Sequence, residues 1–216
     1  MKLYYGADNL ITKPTFGLGN PSNDYGLGFY LTPSYEMAKL WASKNNPKGY
    51  AITYDVDMSG LKILYLNNNT NEDVLNWITI LVSHRFSRED YNKHRTAIKW
   101  LEEHYYPSID NYDIIVGYRA DDSYFKYSED FIDNDLSIDL LKEAMILGKL
   151  GLQYVLMSQK AFNQITYIKH EEIPFTNEYE EFRYETLRQY KELKAKDSIN
   201  NTFIRDIMRG KSWYTS

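Results

Sequence analysis

Asp24-Tyr25-Gly26-Leu27-Gly28-Phe29-Tyr30-Leu31-Thr32, continuing as Pro33-Ser34-Tyr35-Glu36-Met37-Ala38-Lys39-Leu40-Trp41-Ala42, is the stretch from which the fold is read. Two glycines flank one residue just ahead of an apolar run, Gly28–Leu31, that reads as a short strand. Glycine at a strand entry lets backbone come close to a ligand or to another chain segment. A tight strand entry with a core tyrosine is the other reading, and spacing alone favours it. Thr32-Pro33 then predicts a helix start, with Thr as N-cap and Pro at the first helical position. Met37/Trp41 and Ala38/Ala42 recur at four-residue spacing and define one face of that helix.

Upstream, Lys2–Gly6 reads as a strand, followed by a polar, turn-rich loop over residues 7–27. Downstream, Ala51–Val56 and Leu61–Leu66 are β-branched and aromatic runs around Met58-Ser59-Gly60, predicting a hairpin or paired strands. Thr70 with Asp73 caps a helix whose apolar stripe is Val74, Trp77, Ile78, Leu81 and Val82. Ser87 with Asp90 caps another, carrying Tyr91, Ile98, Leu101 and Tyr105. Tyr112–Val116 reads as a strand ended by Gly117, and Ser137 opens a helix through Ile138, Leu141, Met145 and Gly148. Gln153–Met157 is a strand, Ser158 caps a short helix, and Ile165–Ile168 is the last strand. From about Asn177 the chain is highly charged and helical as far as Trp213. The class expected is α+β, with a mixed, mostly antiparallel sheet split by helices. Residues 1–172 form the main domain and residues 173–216 a charged helical extension packed on it.

Composition narrows function mainly by exclusion. The 216 residues hold 30 acidic and 25 basic side chains, a net charge of −5, and no cysteine. That balance argues against a general nucleic-acid or anionic-membrane binder. Without cysteine there is no disulfide scaffold, cysteine nucleophile or Cys-based zinc or iron–sulfur site. The N-terminus lacks an apolar core of signal-peptide length, and no window approaches the roughly 18 apolar residues of a membrane span. A soluble, cytoplasmic protein with no membrane partner is expected. Aromatics reach 16%, with 21 tyrosines. AT-rich coding explains this better than a base-stacking platform does.

Phosphate-loop, Gly-x-Ser-x-Gly, HExxH and EF-hand motifs are absent. The four histidines (His84, His94, His104 and His170) never stand four residues apart, so no helical metal pair forms and no metal is expected. Arg88 and His94 match the loose Arg-x(4–6)-His spacing of all-helical HEPN-type ribonucleases. A solvated pair on the polar side of a helix would look the same.

The glycine strand and its helix resemble the Gly-x-Gly-(Ile/Phe)-Tyr-(Phe/Leu) segment of the ADP-ribosyltransferase superfamily, in its diphtheria-toxin and poly(ADP-ribose)-polymerase branch. More closely, the chain to about residue 170 resembles the bacterial family DUF3990. Leu3-Tyr4-Tyr5-Gly6, the glycine strand, Ala38–Ala42, Tyr112-Asp113-Ile114-Ile115-Val116-Gly117, Ala120-Asp121-Asp122, Gln153-Tyr154 and Lys160-Ala161 follow that family's motifs in order.

The resemblance implies an ADP-ribosyltransferase-like fold and NAD as substrate. In the transferase branch a His-Tyr-Glu triad surrounds the nicotinamide pocket. Tyr5 stands at the histidine position, which holds the adenosine-side ribose, and Gly6 follows as the glycine whose backbone bonds the nicotinamide amide. Tyr30 is the strand tyrosine that packs on the nicotinamide, and Trp41, eleven residues on, is the second aromatic of the sandwich. Gln153 stands where the branch has a glutamate that bonds the nicotinamide-side ribose. Gly26 and Gly28 bring the strand entry close to the ligand. Asp122 is the candidate substitute carboxylate, whereas Asp113 reads as structural. Loss of the glutamate's charge matters because cleaving the nicotinamide–ribose bond develops positive charge on the sugar.

The resemblance thus implies transfer of ADP-ribose to a macromolecular acceptor, in a bacterial toxin or phage-conflict effector. The alternative is a catalytically degenerate NAD- or ADP-ribose-binding module, motivated by Tyr5 and Gln153. The acidic chain favours a protein or small-molecule acceptor over nucleic acid.

Overall fold

The computed structural model describes residues 1–120, 122–147 and 151–210, with residues 122–124 described in their backbone alone. Two mostly antiparallel sheets carry the α+β fold. In the first, β1 (Lys2–Ala7), β3 (Lys48–Val56) and β7 (Ile165–Pro174) lie in that order, each antiparallel to its neighbour. In the second, the order is β2 (Phe29–Leu31), β6 (Leu152–Leu156), β5 (Ile114–Tyr118) and β4 (Ile63–Leu66), with β4 and β5 the parallel pair. One bridge ties the sheets: the Tyr4 and Thr32 backbones exchange two 2.8 Å hydrogen bonds. The ladder goes no further, so β1 and β2 part beyond it.

Both faces of the second sheet are covered. Ile114, Val116 and Leu156 meet Leu3, Leu31, Ile52 and Tyr54 between the sheets. On the other face Ile115 and Val155 pack under α2 (Asn71–Arg85). The two-residue alternation of side chains therefore divides one strand between two cores, and β5 is buried throughout. Thr70 caps α2 by accepting from the Asp73 amide. All five residues of the expected stripe are buried, and Leu75, Thr79 and Ile80 are buried as well. Its apolar residues cover most of the helix surface, leaving one polar side through Glu72, Asn76, Thr79 and Ser83, and α2 lies at the centre of that core.

Helix α1 (Tyr35–Ser43) packs on β1 and β3. Its N-cap is Ser34, whose hydroxyl accepts from the Met37 amide, and not Thr32. Thr32 is engaged in the bridge to Tyr4, which holds it too early in the chain to cap. A Cβ added at Gly6 would lie 2.2 Å from the Ala38 carbonyl oxygen and 2.8 Å from the Trp41 Cβ. The missing side chain is what lets α1 lie directly on β1.

Several expectations are corrected. The runs 51–56 and 61–66 are not a hairpin: β3 stays in the first sheet while β4 crosses to the second and pairs with β5. Periodicity identifies strands but not their partners. The expected helix over 88–105 breaks at His94 (φ −107°, ψ 16°) into α3 (Arg88–Lys93) and α4 (Arg95–Tyr105). Arg88 is exposed, whereas His94 turns inward against Phe86 with Nδ1 3.3 Å from Asp133, so the two share no helical face. Gly117 does not end β5. It makes room for Tyr25, whose hydroxyl would lie 2.2 Å from a Cβ there and donates to the Tyr118 carbonyl at 2.7 Å. An unforeseen helix, α5 (Asp122–Ile132), follows β5, and β7 runs on to Pro174. The helix begun by Ser137 is α6 (Ile138–Ala144), while Gly148 lies outside the described residues. Ser158 caps α7 (Gln159–Asn163), as read. Asp113 holds loops together: it accepts from the Lys62 amide at 2.8 Å and the Ser158 hydroxyl at 2.5 Å.

Beyond β7, α8 (Glu178–Lys194) packs on α1, α5 and α6, and α9 (Ile204–Met208) packs on α4. Asp130 of α5 accepts from the Tyr190 hydroxyl at 2.6 Å and from Lys194 at 2.8 Å, and the Tyr127 and Tyr190 rings lie 3.8 Å apart. Trp213 lies outside the described residues. Among those described, no helix is long and apolar enough to cross a membrane.

Candidate functional site

Where β1 and β2 diverge, a cavity of about 780 Å³ opens. That lies within the roughly 300–1,000 Å³ of small-ligand sites. Six candidate residues from four elements or their entries meet on its wall: Tyr5 and Gly6, Gly28 and Tyr30, Trp41, and Gln153. Gly26 stands behind the wall. Its φ of +75° suits glycine, and a Cβ there would strike the His84 ring at 2.7 Å. The side chain of Asp122, and all of Asp121, lie outside the described residues.

Register explains what Gly6 offers. The Val56 amide donates to the Met1 carbonyl at 2.9 Å, which puts the bonded pairs of the β1–β3 ladder at Leu3, Tyr5 and Ala7. Tyr4 turns its amide and carbonyl the other way, to Thr32, and Gly6 follows Tyr4 by two residues. The Gly6 N–H and C=O therefore face the gap between the strands. They present a donor and an acceptor to a ligand there.

The aromatic groups hold fixed postures. Tyr30 donates from its hydroxyl to the Gly26 carbonyl at 2.6 Å and accepts from the Tyr25 amide at 3.1 Å. Its polar end is thus engaged in folding the glycine turn, and its ring is the part left to line the cavity. Burial first of all raises its pKa well above the ordinary tyrosine value. The Tyr5 ring leans on Phe29, with centroids 4.8 Å apart. Burial, then Asp8, raises its pKa, and the nearby Arg119 opposes them. Both phenols stay neutral at physiological pH and supply hydroxyls and ring faces, not charge.

The polar pole of the cavity centres on a residue to which sequence reading assigned no role, Asp24. Its Oδ2 accepts from the Gln153 Nε2 at 2.9 Å and from the Ala120 amide at 2.9 Å. Its Oδ1 accepts from Arg85 at 2.9 Å, and the same arginine nitrogen donates to the Ala120 carbonyl at 2.7 Å. Gln153 is only 2% exposed, and its Nε2 also lies 3.4 Å from the Tyr118 carbonyl. Both neighbours are acceptors, which fixes the NH₂ end of the amide toward them and leaves Oε1 as the end open to a ligand. Gln153 is thus a neutral residue that presents an oxygen to the cavity, with the Asp24 carboxylate directly behind it.

Sequence reading also missed Arg85 and Arg119. Arg85 ends α2, where a basic residue reads simply as complementing the helix C-terminus. Arg119 follows β5, and its guanidinium carbon lies 3.6 Å from the centroid of the Trp41 ring. The described lining carries Lys13, Lys44, Arg85 and Arg119 against Asp24 alone. This is a cationic wall in a protein of net charge −5. From α8, Tyr179 reaches the same wall, with Lys44 over its ring at 4.9 Å. Among the described residues no cluster of three or more His, Asp or Glu side chains suits a metal ion.

Over residues 1–167 the chain matches the model of a family described as protein of unknown function (DUF3990), and it belongs to that family. Compared with curated proteins and with solved structures, it matches none. The matched stretch stops inside β7, so Tyr179 brings to the cavity a side chain from beyond it.

Proposed function

We propose that this cavity binds NAD and that the protein is an ADP-ribosyltransferase-like enzyme with a split-sheet core. It would cleave the nicotinamide–ribose bond and transfer ADP-ribose to a macromolecular acceptor. The observation that carries this reading is convergence. Tyr5, Gly6, Gly28, Tyr30, Trp41 and Gln153, distant from one another in the chain, line one cavity. The chemistry of each wall supports it as well. Gly6 offers a backbone donor and acceptor for a carboxamide, and Tyr30 and Trp41 offer flat rings. Gln153 offers an oxygen to sugar hydroxyls, and the cationic wall suits a pyrophosphate.

In the reaction the bond from ribose C1′ to the nicotinamide nitrogen breaks, its electron pair going to the pyridinium ring, which leaves neutral. Positive charge develops on the ribose until a nucleophile of the acceptor bonds to C1′ and gives up its proton. The Oε1 dipole of Gln153, backed by Asp24, would meet that charge. An amide supplies less stabilisation than a carboxylate in direct contact, a difference of about 3 kcal/mol or two powers of ten in rate on the scale of one removed oxyanion-hole donor.

One observation favours the second reading, a module that binds NAD or ADP-ribose without turnover. The carboxylate described at the cavity, Asp24, is already ion-paired with Arg85. Calorimetric titration of NAD, with free nicotinamide assayed in the same sample, separates the two. Binding with release supports the transferase, and binding without release in the presence of candidate acceptors supports the module. Absence of binding overturns both.

A further inference from the structure

The outer edge of the first sheet is bare. β7 is its last strand, and among the described residues no strand pairs with its far side. Ile168, Lys169, His170, Glu171 and Glu172 are exposed in an unbroken run. Register tells which backbone groups are open there. The Asp57 amide donates to the Gln164 carbonyl at 3.0 Å, and the Phe175 amide to the Pro47 carbonyl at 3.2 Å. Between these ends Ile168 is the extra residue of a bulge. Lys169, Glu171 and Ile173 therefore bond to β3, while His170 and Glu172 turn N–H and C=O outward. Such open groups are a template for another strand. The bulge closes this stretch on one side, and Pro174, which has no N–H, closes it on the other.

We propose that this edge binds a second copy of the chain, two β7 strands pairing antiparallel about a two-fold axis at Glu171 so that their sheets join. Three registers set open groups against open groups. With His170 opposite its own copy, Glu172 faces the bulge. With Glu172 opposite its own copy, like charges meet and His170 faces Pro174. Pairing His170 with Glu172 of the second copy uses all the open groups between bulge and proline, in four hydrogen bonds. Charge agrees with this register. The Tyr167 hydroxyl, donating to His170 Nδ1 at 2.7 Å, leaves the proton of the neutral ring on Nε2, toward the opposite carboxylate. Lys169 comes diagonal to Glu171 of the second copy. The exposed Ile168 of each copy comes beside Pro174 and the exposed Phe175 of the other. The one repulsive pair is Glu171 with its own copy on the axis.

A contact of this size belongs to the weak class, so the full chain is followed by sedimentation equilibrium up to about 1 mM, with residue-resolved amide exchange on the same samples. Association that grows with concentration is expected. With it the His170 and Glu172 amides should slow, whereas Glu171 and Ile173 are protected by β3 at every concentration. His170→Pro removes an outward N–H and no bond to β3, so it should abolish association in a protein that melts like the parent. If that variant does not fold, Lys169→Glu replaces it, setting a further acid beside Glu171 and weakening association. Glu171→Gln keeps an acceptor for the Tyr35 hydroxyl and removes the axial repulsion. It should tighten association by up to about 4-fold at low salt, the figure for unit charges about 5 Å apart in water. A parent chain that stays monomeric throughout overturns the inference and leaves the edge to a different partner. Association that the position 169 or 170 variant leaves unchanged, that Glu171→Gln weakens, or that protects other amides instead overturns it as well.

Discussion

Gln153→Glu would supply the carboxylate that the proposed transferase reading favours at this position, and the surroundings of Gln153 argue that the fold resists it. The amide nitrogen lies 2.9 Å from Asp24 Oδ2 and 3.4 Å from the Tyr118 carbonyl. The glutamate would set a second carboxylate against two acceptors. At an effective dielectric near 20, unit charges at that separation repel by about 6 kcal/mol. Arg85 on the far oxygen of Asp24 offsets part of this. The protein has a less costly escape, which is to fold with the introduced carboxyl protonated, its proton donated to Asp24 where the amide now donates. From an unfolded pKa of about 4.3, that costs about 3.7 kcal/mol at pH 7 and about 1 kcal/mol at pH 5. The sign follows. A carboxyl whose folded pKa is raised loses stability as pH climbs above its unfolded value, by about 1.4 kcal/mol per pH unit, until the folded pKa is reached. For a chain of this length the cost corresponds to a melting temperature lowered by roughly 7–15 °C at pH 7 and by roughly 2–4 °C at pH 5. Thermal unfolding of the parent and Gln153→Glu proteins at both pH values, at one ionic strength, measures this. Gln153→Met, which removes the donor without adding charge, should lose similar stability at both. A glutamate variant as stable as the parent at pH 7, or equally weakened at pH 5 and 7, refutes the assigned amide orientation.

Three further outcomes are expected. Gly6→Ala drives a Cβ against the Ala38 carbonyl at 2.2 Å and should destabilise by about 1–3 kcal/mol. An unchanged urea midpoint would show that α1 does not rest on β1 as described. Tyr30→Phe leaves the Gly26 carbonyl and the Tyr25 amide without their hydroxyl partner, at about 1–3 kcal/mol, yet keeps the ring. Its melting temperature should fall while NAD affinity changes less than in Tyr30→Ala, and equal affinity losses in the two variants would assign the hydroxyl to the ligand. At Asp130, burial opposes ionisation, but hydrogen bonds from Lys194, Tyr190 and Lys126 outweigh it and hold the carboxyl below the usual range. A lowered folded pKa gives stability that is present above the unfolded pKa of about 4 and lost as pH falls through the folded value. Asp130→Asn should therefore speed hydrogen exchange in α8 more at pH 7 than at pH 3, and equal effects would rule out the charge as the tether.

What the sequence could express was whatever is decided within a few residues. Thr70 with Asp73, and Ser158 before α7, were readable as helix starts because a cap and the amide it accepts lie three residues apart. The strands β1 and β6 were readable because a half- or fully buried pleat imposes its own apolar pattern. Capping failed where a tertiary demand intervened: Thr32 has the chemistry of an N-cap, but the bridge to Tyr4 claims it and Ser34 takes the role. Likewise a continuous apolar periodicity over 88–105 did not disclose the break at His94, which turns to meet Phe86 and Asp133.

The candidate site divides in the same way. Tyr5, Gly6, Tyr30, Trp41 and Gln153 were singled out by the resemblance of short stretches to a known superfamily, each stretch local enough to be written in one piece of chain. Their meeting at one cavity, and the residues that set their electrostatics, belong to the tertiary structure. Asp24 meets Arg85 across 61 positions and Gln153 across 129, and Arg119 reaches Trp41 from the end of a strand in the other sheet. The crossing of β4 away from β3 likewise has no local signature. Hydrogen-bond caps and side-chain alternation are short-range and repeat along the chain, so composition and spacing carry them. Which strand lies beside which, and which charge stands behind which amide, is fixed only when two separate cores close on the second sheet and bring distant segments within hydrogen-bonding distance of one another.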